Sequence, residues 1–265
     1  MAKSKLRHHT RVMTIAGKIK DFLMPKALGT AVKEVRIGLI YTAVMLENGG
    51  TGVAFTFQGG PERETRSLKG LHPMAGRDAS ELLSLLDSPQ RVGAALGLAT
   101  ANALTNAERE GLHPGDVLDF LPIGPADRVG MVGYFAPVLP RIKKKGASVL
   151  VFEQKAEREG EILPEEEAYR LLPECQVALV TSTTIVNHTV DGILEAARAC
   201  RDVALVGAST PLLAEAFADT NVKLLSGIII TEPEAILRMV SEAGGSRAFR
   251  GNVRKVNLLL GTGGF

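Results

Sequence analysis

Tryptophan is missing from this 265-residue chain, aromatic residues make up only 5% of it, and cysteine occurs twice. So few rings argue against a base-stacking surface for single-stranded nucleic acid. Cys175 and Cys200 stand far apart and in no CxxC arrangement, which excludes a zinc ribbon or a thioredoxin-type pair. Both read as passive buried thiols, one just before an apolar strand and one at the end of a helix. No run approaches the roughly 20 apolar residues that span a bilayer, and the basic start from Met1 to His9 is followed by no apolar signal core. The formal charge of +2 sets up no field that would recruit nucleic acid or a membrane. A soluble, cytoplasmic protein is expected. The common chemical signatures are absent too. Gly130-Met131-Val132-Gly133 is not GxGxxG, and there is no P-loop, GxSxG elbow or HExxH. No repeat with a period of 20–50 residues is visible.

What is present divides near Gly111–Asp116, a stretch dense in turn residues. Before it, Val12, Ile15, Ala16, Ile19, Phe22 and Leu23 recur at helical spacing, and Pro25 is expected to close that helix. Val35, Ile37, Leu39 and Tyr41 alternate with polar or small residues. Asn48-Gly49-Gly50 and a second alternation (Val53, Phe55, Phe57) complete a β-hairpin. Residues 58–66 read as a loop. Asp78-Ala79-Ser80-Glu81 resembles a capping box opening a short helix to Leu86. A longer helix from Gln90 to about Ala107 is dominated by small residues, with Asn102 as its polar exception. After the divide the grammar changes. Apolar runs at 127–132, 148–153, 176–181, 203–207 and 224–230 alternate with helices near 138–145, 165–172, 189–200, 211–218 and 232–243. Strands buried on both faces read this way. The fold class is therefore α/β: a small α+β domain over 1–115, then a Rossmann-like parallel-sheet domain over 116–265.

In open α/β sheets ligands gather at the carboxyl ends of the strands. The first end gives Gly133, Tyr134 and Phe135, where a tight turn into a helix beginning at Pro137 would leave backbone N–H groups free for an anionic or polar ligand. The second gives Glu153, about twenty residues on, where dinucleotide folds place an acid for ribose hydroxyls. The third gives Thr181, Ser182, Thr183 and Thr184 with Asn187 behind them, and the fourth gives Ser209 and Thr210. Helix capping accounts for Thr231 and for one hydroxyl in each of the other groups. It does not account for four in a row, so a polar ligand is expected at the third and fourth ends. His188, beside that cluster, is a candidate ligand or base.

Gly133-Tyr134-Phe135-Ala136-Pro137, Glu153, the run from Thr181 to Thr189 and Gly207-Ala208-Ser209-Thr210-Pro211 together resemble a heavy-metal-chelation family of bacterial and archaeal proteins. The resemblance covers essentially the whole chain. It implies an enolase-N-terminal-like first domain, a Rossmann-like second domain and a ligand site in the cleft between them, with Asn102 on the small-residue helix. Two positions depart from the pattern: His188 stands where a small residue is expected and Ala208 where proline is.

The resemblance implies a metal-binding or chelating protein, with Glu153 and His188 as metal ligands and a metal ion or metal complex as the cofactor. The scarcity of thiols favours an oxygen-rich site or a preformed complex. The alternative is an enzyme acting on a nucleotide-like or other anionic small molecule in the same cleft, with His188 or Glu153 as base. A third reading is an interaction protein with a vestigial cleft. Expected partners are a small-molecule or metal ligand, with a homodimer admitted and neither nucleic acid nor membrane.

Overall fold

A computed structural model describes residues 13–57, 65–154 and 162–261. The start of the first expected helix and most of the 58–66 loop lie outside them. Helix α1 (Ile15–Ala27) opens on Thr14, whose side chain accepts from the Gly17 amide, and buries Ile15, Ala16, Ile19, Leu23 and Ala27 as one stripe. Pro25 lies inside this helix rather than ending it. Burial of Leu23 and Ala27 on the same face holds the last turn together despite the hydrogen bond that proline removes.

Strands β1 (Val32–Ile37), β2 (Tyr41–Leu46) and β3 (Thr51–Phe55) form an antiparallel sheet in that order. The single hairpin read from alternation is thus a three-stranded meander, because the chain turns at Gly38. A Cβ there would lie 2.2 Å from the Val240 carbonyl oxygen, so only glycine lets the turn sit this close to the last helix. β2 is buried along its whole length. Val44 and Leu46 join the main core, and Ala43 and Met45 pack against that last helix on the other side.

Helix α2 (Ala79–Leu83) has Asp78 as its N-cap, accepting from the Ser80 amide. The reciprocal half of the expected capping box is replaced, since the Glu81 carboxylate pairs with Arg77 at 2.6 Å. Helix α3 (Arg91–Thr105) is nearly all buried, and its small residues do what their size permits. A Cβ on Gly52 of β3 would lie 2.3 Å from both the Ala99 oxygen and the Ala103 nitrogen of α3.

The second half supplies an eight-stranded sheet. Its strands are β4 (Leu112–Pro114), β5 (Arg128–Val132), β6 (Ser148–Glu153), β7 (Ile162–Pro164), β8 (Val177–Thr181), β9 (Asp202–Val206), β10 (Val222–Ile230) and β11 (Val253–Leu259). They lie in the order β4-β11-β10-β9-β8-β5-β6-β7. β5 to β10 are mutually parallel, and β11 and β4 add antiparallel edges. Counted from β5, the parallel strands run 3-2-1-4-5-6, which puts the reversal of winding between β5 and β8. Helices α4 (Leu139–Lys144), α5 (Ala168–Leu171), α6 (Thr183–Val186), α7 (Val190–Ala196) and α8 (Pro233–Ser241) follow the strands. The helix expected over 211–218 shrinks to one 3₁₀ turn, Ala214–Phe217.

One sheet face packs Val129, Met131, Val177 and Leu179 under α4 and the 117–123 segment. The other packs Val132, Phe152, Val180 and Leu205 in one continuous core with α1, α3 and the meander. Among the described residues no helix is long and apolar enough to cross a membrane.

Gly52→Ala is expected to destabilise the protein by about 1–3 kcal/mol, because the atoms met are helix backbone and cannot yield. A urea transition with a lowered midpoint and unchanged slope would report it, and a midpoint equal to the parent's would refute the close approach.

Candidate functional site at the carboxyl edge of the sheet

Gly133 follows β5 at φ +89°, and a Cβ there would sit 2.8 Å from Cγ2 of Thr181 at the end of β8. Glycine is what lets the turn after β5 lie this close to the end of β8. Four amides of this segment, however, are engaged within the protein. Gly133 N donates to the Phe152 carbonyl at 2.8 Å and Tyr134 N to Glu153 Oε2 at 3.0 Å. Val138 N and Leu139 N both donate to the Phe135 carbonyl, at 2.9 and 3.1 Å. Pro137 is not the first helical residue: α4 starts at Leu139, with Val138 as N-cap and Pro140 in its first turn. The amides of Gly133 and Tyr134 are therefore not free for an anion. The Glu153 carboxylate occupies the Tyr134 amide, and its other oxygen accepts from Gln154 N at 2.9 Å. A negative side chain already stands where an anionic ligand would go.

The hydroxyls are spent differently from either expectation. Ser182 and Thr210, both fully buried, bond to each other at 2.7 Å. Thr184 Oγ1 donates to the Thr181 carbonyl at 2.7 Å. Ser209 Oγ accepts from Phe55 N at 2.9 Å. Asn102 Nδ2 donates to the carbonyls of Val53 and Ser209, at 2.8 and 3.2 Å. These five residues are buried and bound: Ser209 and Asn102 tie the first half of the chain to the sheet edge, while Ser182 and Thr184 bond within the second half. None of them caps a helix through its side chain. Ser182, Thr189 and Glu232 hold the N-cap positions of α6, α7 and α8 without a side-chain bond, so Thr231 is not the cap of α8. Sequence reasoning passed over Asn106, which donates to the Thr210 carbonyl at 2.9 Å and accepts from Leu212 N at 2.9 Å. Its spacing of four from Asn102, on the same helix face, was the available signal.

Gly133, Tyr134, Phe135, Glu153, Thr181, Thr183 and Asn187 remain half-buried at the edge. Thr181 and Thr183 share a hydroxyl contact of 3.1 Å. Asn187 Oδ1 accepts from both Thr189 N (3.2 Å) and Thr189 Oγ1 (2.9 Å). The structure adds Glu165. Burial pushes its carboxyl pKa up; hydrogen bonds from Thr189 and Gln154 pull it back, and repulsion from Glu153 and Glu166 adds to the rise. Nothing in Pro164-Glu165-Glu166-Glu167 distinguishes this glutamate, because its environment is made by β6 and the start of α7. Two carboxylates, an amide and several hydroxyls thus meet beside the switch point.

His188 turns the other way. Its backbone takes φ +62° and Nε2 donates to the Ser88 carbonyl at 2.8 Å, so Glu153 and His188 answer to different partners. Among the described residues no group of three or more His, Cys, Asp or Glu side chains is placed to hold a metal ion. Burial raises the Cys175 thiol pKa and pushes that of Cys200 up to about 12. Both stay protonated at neutral pH, whereas metals bind thiolates.

A family model described as "Putative heavy-metal chelation", DUF364, matches residues 116–259, and a second with the same description, DUF4213, matches 20–105. The chain belongs to the DUF364 family. A DUF364-family protein of unknown function from Pyrococcus horikoshii superposes with TM-score 0.81 at 24% identity, over 93% of this chain and all of that one. Another, from Desulfitobacterium hafniense DCB-2, gives 0.78 at 24% identity over 92% and 98%. The protein MJ0500 of Methanocaldococcus jannaschii is 26% identical over 252 residues, covering 90% of this chain and 93% of that protein. These two structures share the mixed α/β fold with its parallel-dominated sheet.

Ser209→Ala is expected to cost about 1–3 kcal/mol, since it strands the Phe55 amide; a denaturation midpoint within error of the parent would contradict the staple. Glu165 has the opposite signature. Its pKa is raised on folding, so its stabilising effect is present in acid and is lost as pH climbs through the folded value. Glu165→Gln should therefore raise stability at pH 8, by on the order of 0.5 kcal/mol after solvent screening. The gain should vanish below the ordinary glutamate value of 4.5. Melting curves at both pH values decide it, and a loss at pH 8 would mean that the carboxylate is structurally required.

Proposed function

We propose that this chain is a binding protein for a polar small molecule, held at the carboxyl ends of β5, β6 and β8, and that any metal it carries arrives already chelated by an organic ligand. The observation that carries the reading is the convergence of Glu153 and Glu165 beside the switch point, with Tyr134, Thr183 and Asn187 half-buried around them. A bare heavy-metal ion does not fit these groups. The thiols are buried and protonated, and the described residues offer no three-ligand cluster. A guest rich in hydroxyl or ammonium donors does fit. An ionised carboxylate has about four lone-pair sites, so Glu153 can hold the Tyr134 amide and still accept from a vicinal diol, the role an acid takes at this strand end in dinucleotide folds. In this reading residues 1–115 and 116–265 are two lobes, enolase-N-terminal-like and Rossmann-like, and the crevice runs along their junction.

The enzymatic alternative rests on Glu165. A half-buried carboxyl with an elevated pKa is suited to proton transfer, and the Thr189–Asn187 contact behind it fixes its hydroxyl neighbour.

The test is elemental analysis combined with mass spectrometry of small molecules released on denaturation, using protein purified without chelators. The expected result is an organic ligand, with metal present only in proportion to it. Nucleosides, polyols and chelate complexes are then screened by thermal shift, where a ligand at 100 times its dissociation constant adds about 2.7 kcal/mol of stability. Glu153→Gln should abolish the shift while the protein stays folded. Stoichiometric metal with no organic companion would overturn the proposal.

A further inference from the structure

An exposed strand edge is a template for pairing with another chain, and proteins blunt such edges by shortening or covering them. The end strands of the large sheet, β4 and β7, are three residues each. In the meander, the outward Val53 carbonyl and Phe55 amide of β3 are taken by Asn102 and Ser209. β1 has neither protection along most of its length. The Arg77 carbonyl and the Gly76 amide bind Val32 at the start of its outer side, and the chain turns away at Gly38. Between these points, residues 33–37 pair with β2 on one side only among the described residues.

The register fixes which polar groups face outward. Gly38 N donates to the Tyr41 carbonyl at 2.9 Å, and antiparallel pairs alternate between bonded and non-bonded. Arg36 and Ala43 therefore form a bonded pair, whereas Val35 with Val44 and Ile37 with Thr42 do not. Val35 and Ile37 consequently turn their N–H and C=O groups to the open side. The bulge between Val32 and Glu34 leaves the three central residues, 34 to 36, in regular strand. Glu34 and Arg36 share one face, where Arg36 Nε donates to Glu34 Oε1 at 2.6 Å. Ile37, on the opposite face, is 41% exposed.

We propose that β1 pairs antiparallel with β1 of a second copy of this chain, about a twofold axis at Val35, joining two meanders into one six-stranded sheet. A twofold interface must be self-complementary, and this edge is. The outward N–H and C=O of Val35 exchange bonds with those of the partner's Val35. Glu34 then stands opposite the partner's Arg36, and Arg36 opposite the partner's Glu34, at the closer spacing of a non-bonded pair. An axis at Glu34 or at Arg36 would set like charges face to face and point bonded groups away from the partner. The pairing also ends itself: where one strand reaches the occupied side of Val32, the other turns off at Gly38. None of the crevice residues takes part.

Sedimentation equilibrium of the full chain up to about 1 mM is expected to show a monomer–dimer equilibrium. Glu34→Arg and Arg36→Glu should each weaken the dimer by roughly tenfold or more, since each turns both cross-copy pairs into like-charge pairs. Both positions lie at the surface, where one ion pair adds little to folding. An equimolar mixture of the two variants should dimerise again, because every cross-copy pair is then opposite in sign; a folding defect in either variant would not produce that rescue. Exchange of the Val35 amide, followed by NMR, should slow with concentration in step with dimer formation. Four results overturn the proposal: a monomer throughout, parental dimerisation of both variants, a mixture that stays monomeric, or a dimer whose Val35 amide exchanges as fast as the monomer's.

Discussion

A buried polar staple governs where everything else in this molecule can be. Asn102 of α3 and Asn106 at its C-cap, the Phe55 amide of β3, and Ser209, Thr210 and Leu212 beyond β9 exchange hydrogen bonds across the junction of the two halves. Each such group costs about 1–3 kcal/mol if left unpaired in the interior. A small sliding of the first half over the sheet would strand several at once. Apolar packing on the same junction, where α1, α3 and the meander share one core with the sheet, supplies the attraction but tolerates displacement. The polar bonds remove that tolerance. The arrangement is not free of cost: both hydrogens of Asn102 Nδ2 go to carbonyls, and its buried Oδ1 has no partner among the described residues.

The staple also explains which features were legible in the sequence. The parallel strands were readable because runs such as Val149-Leu150-Val151-Phe152 are apolar on both faces, a pattern with one common solution. The helix α3 was readable from its small residues. The hydroxyls of Thr181–Thr184 and Ser209–Thr210 were visible as a cluster, but their use was not. A serine at a strand end can cap a helix, bind a guest or satisfy a distant amide, and only the position of Phe55, more than 150 residues away in the chain, chooses among these. The same limit hid Glu165, one of three consecutive glutamates. It also hid the turn at Gly38, which depends on Val240. Local patterns specified the elements. Long-range contacts specified what their ends do.

Electrostatically, the sheet edge departs from the usual phosphate-binding turn. A glycine turn at the end of the first parallel strand usually directs amides at an anion; here Glu153 has taken the Tyr134 amide and Glu165 stands beside it. The edge consequently presents carboxylate acceptors where that turn usually presents donors. The same residue composition could have produced a phosphate site, had Glu153 pointed away from the turn.

His188 connects these themes. A non-glycine residue at φ +62° carries a conformational cost that glycine would avoid, and the exposed histidine adds nothing to the apolar core. What the residue does provide is a ring fixed by Ser88 on one side of a short segment whose neighbours, Asn187 and Thr189, bond to each other on the other. Local strain of this kind persists where surrounding contacts over-determine it, and it gathers at ligand sites. The backbone reversal at 188 therefore serves as a partition: it gives three consecutive residues two opposite environments, Asn187 and Thr189 bonded to each other on one side and the ring between them turned to the Ser88 carbonyl on the other.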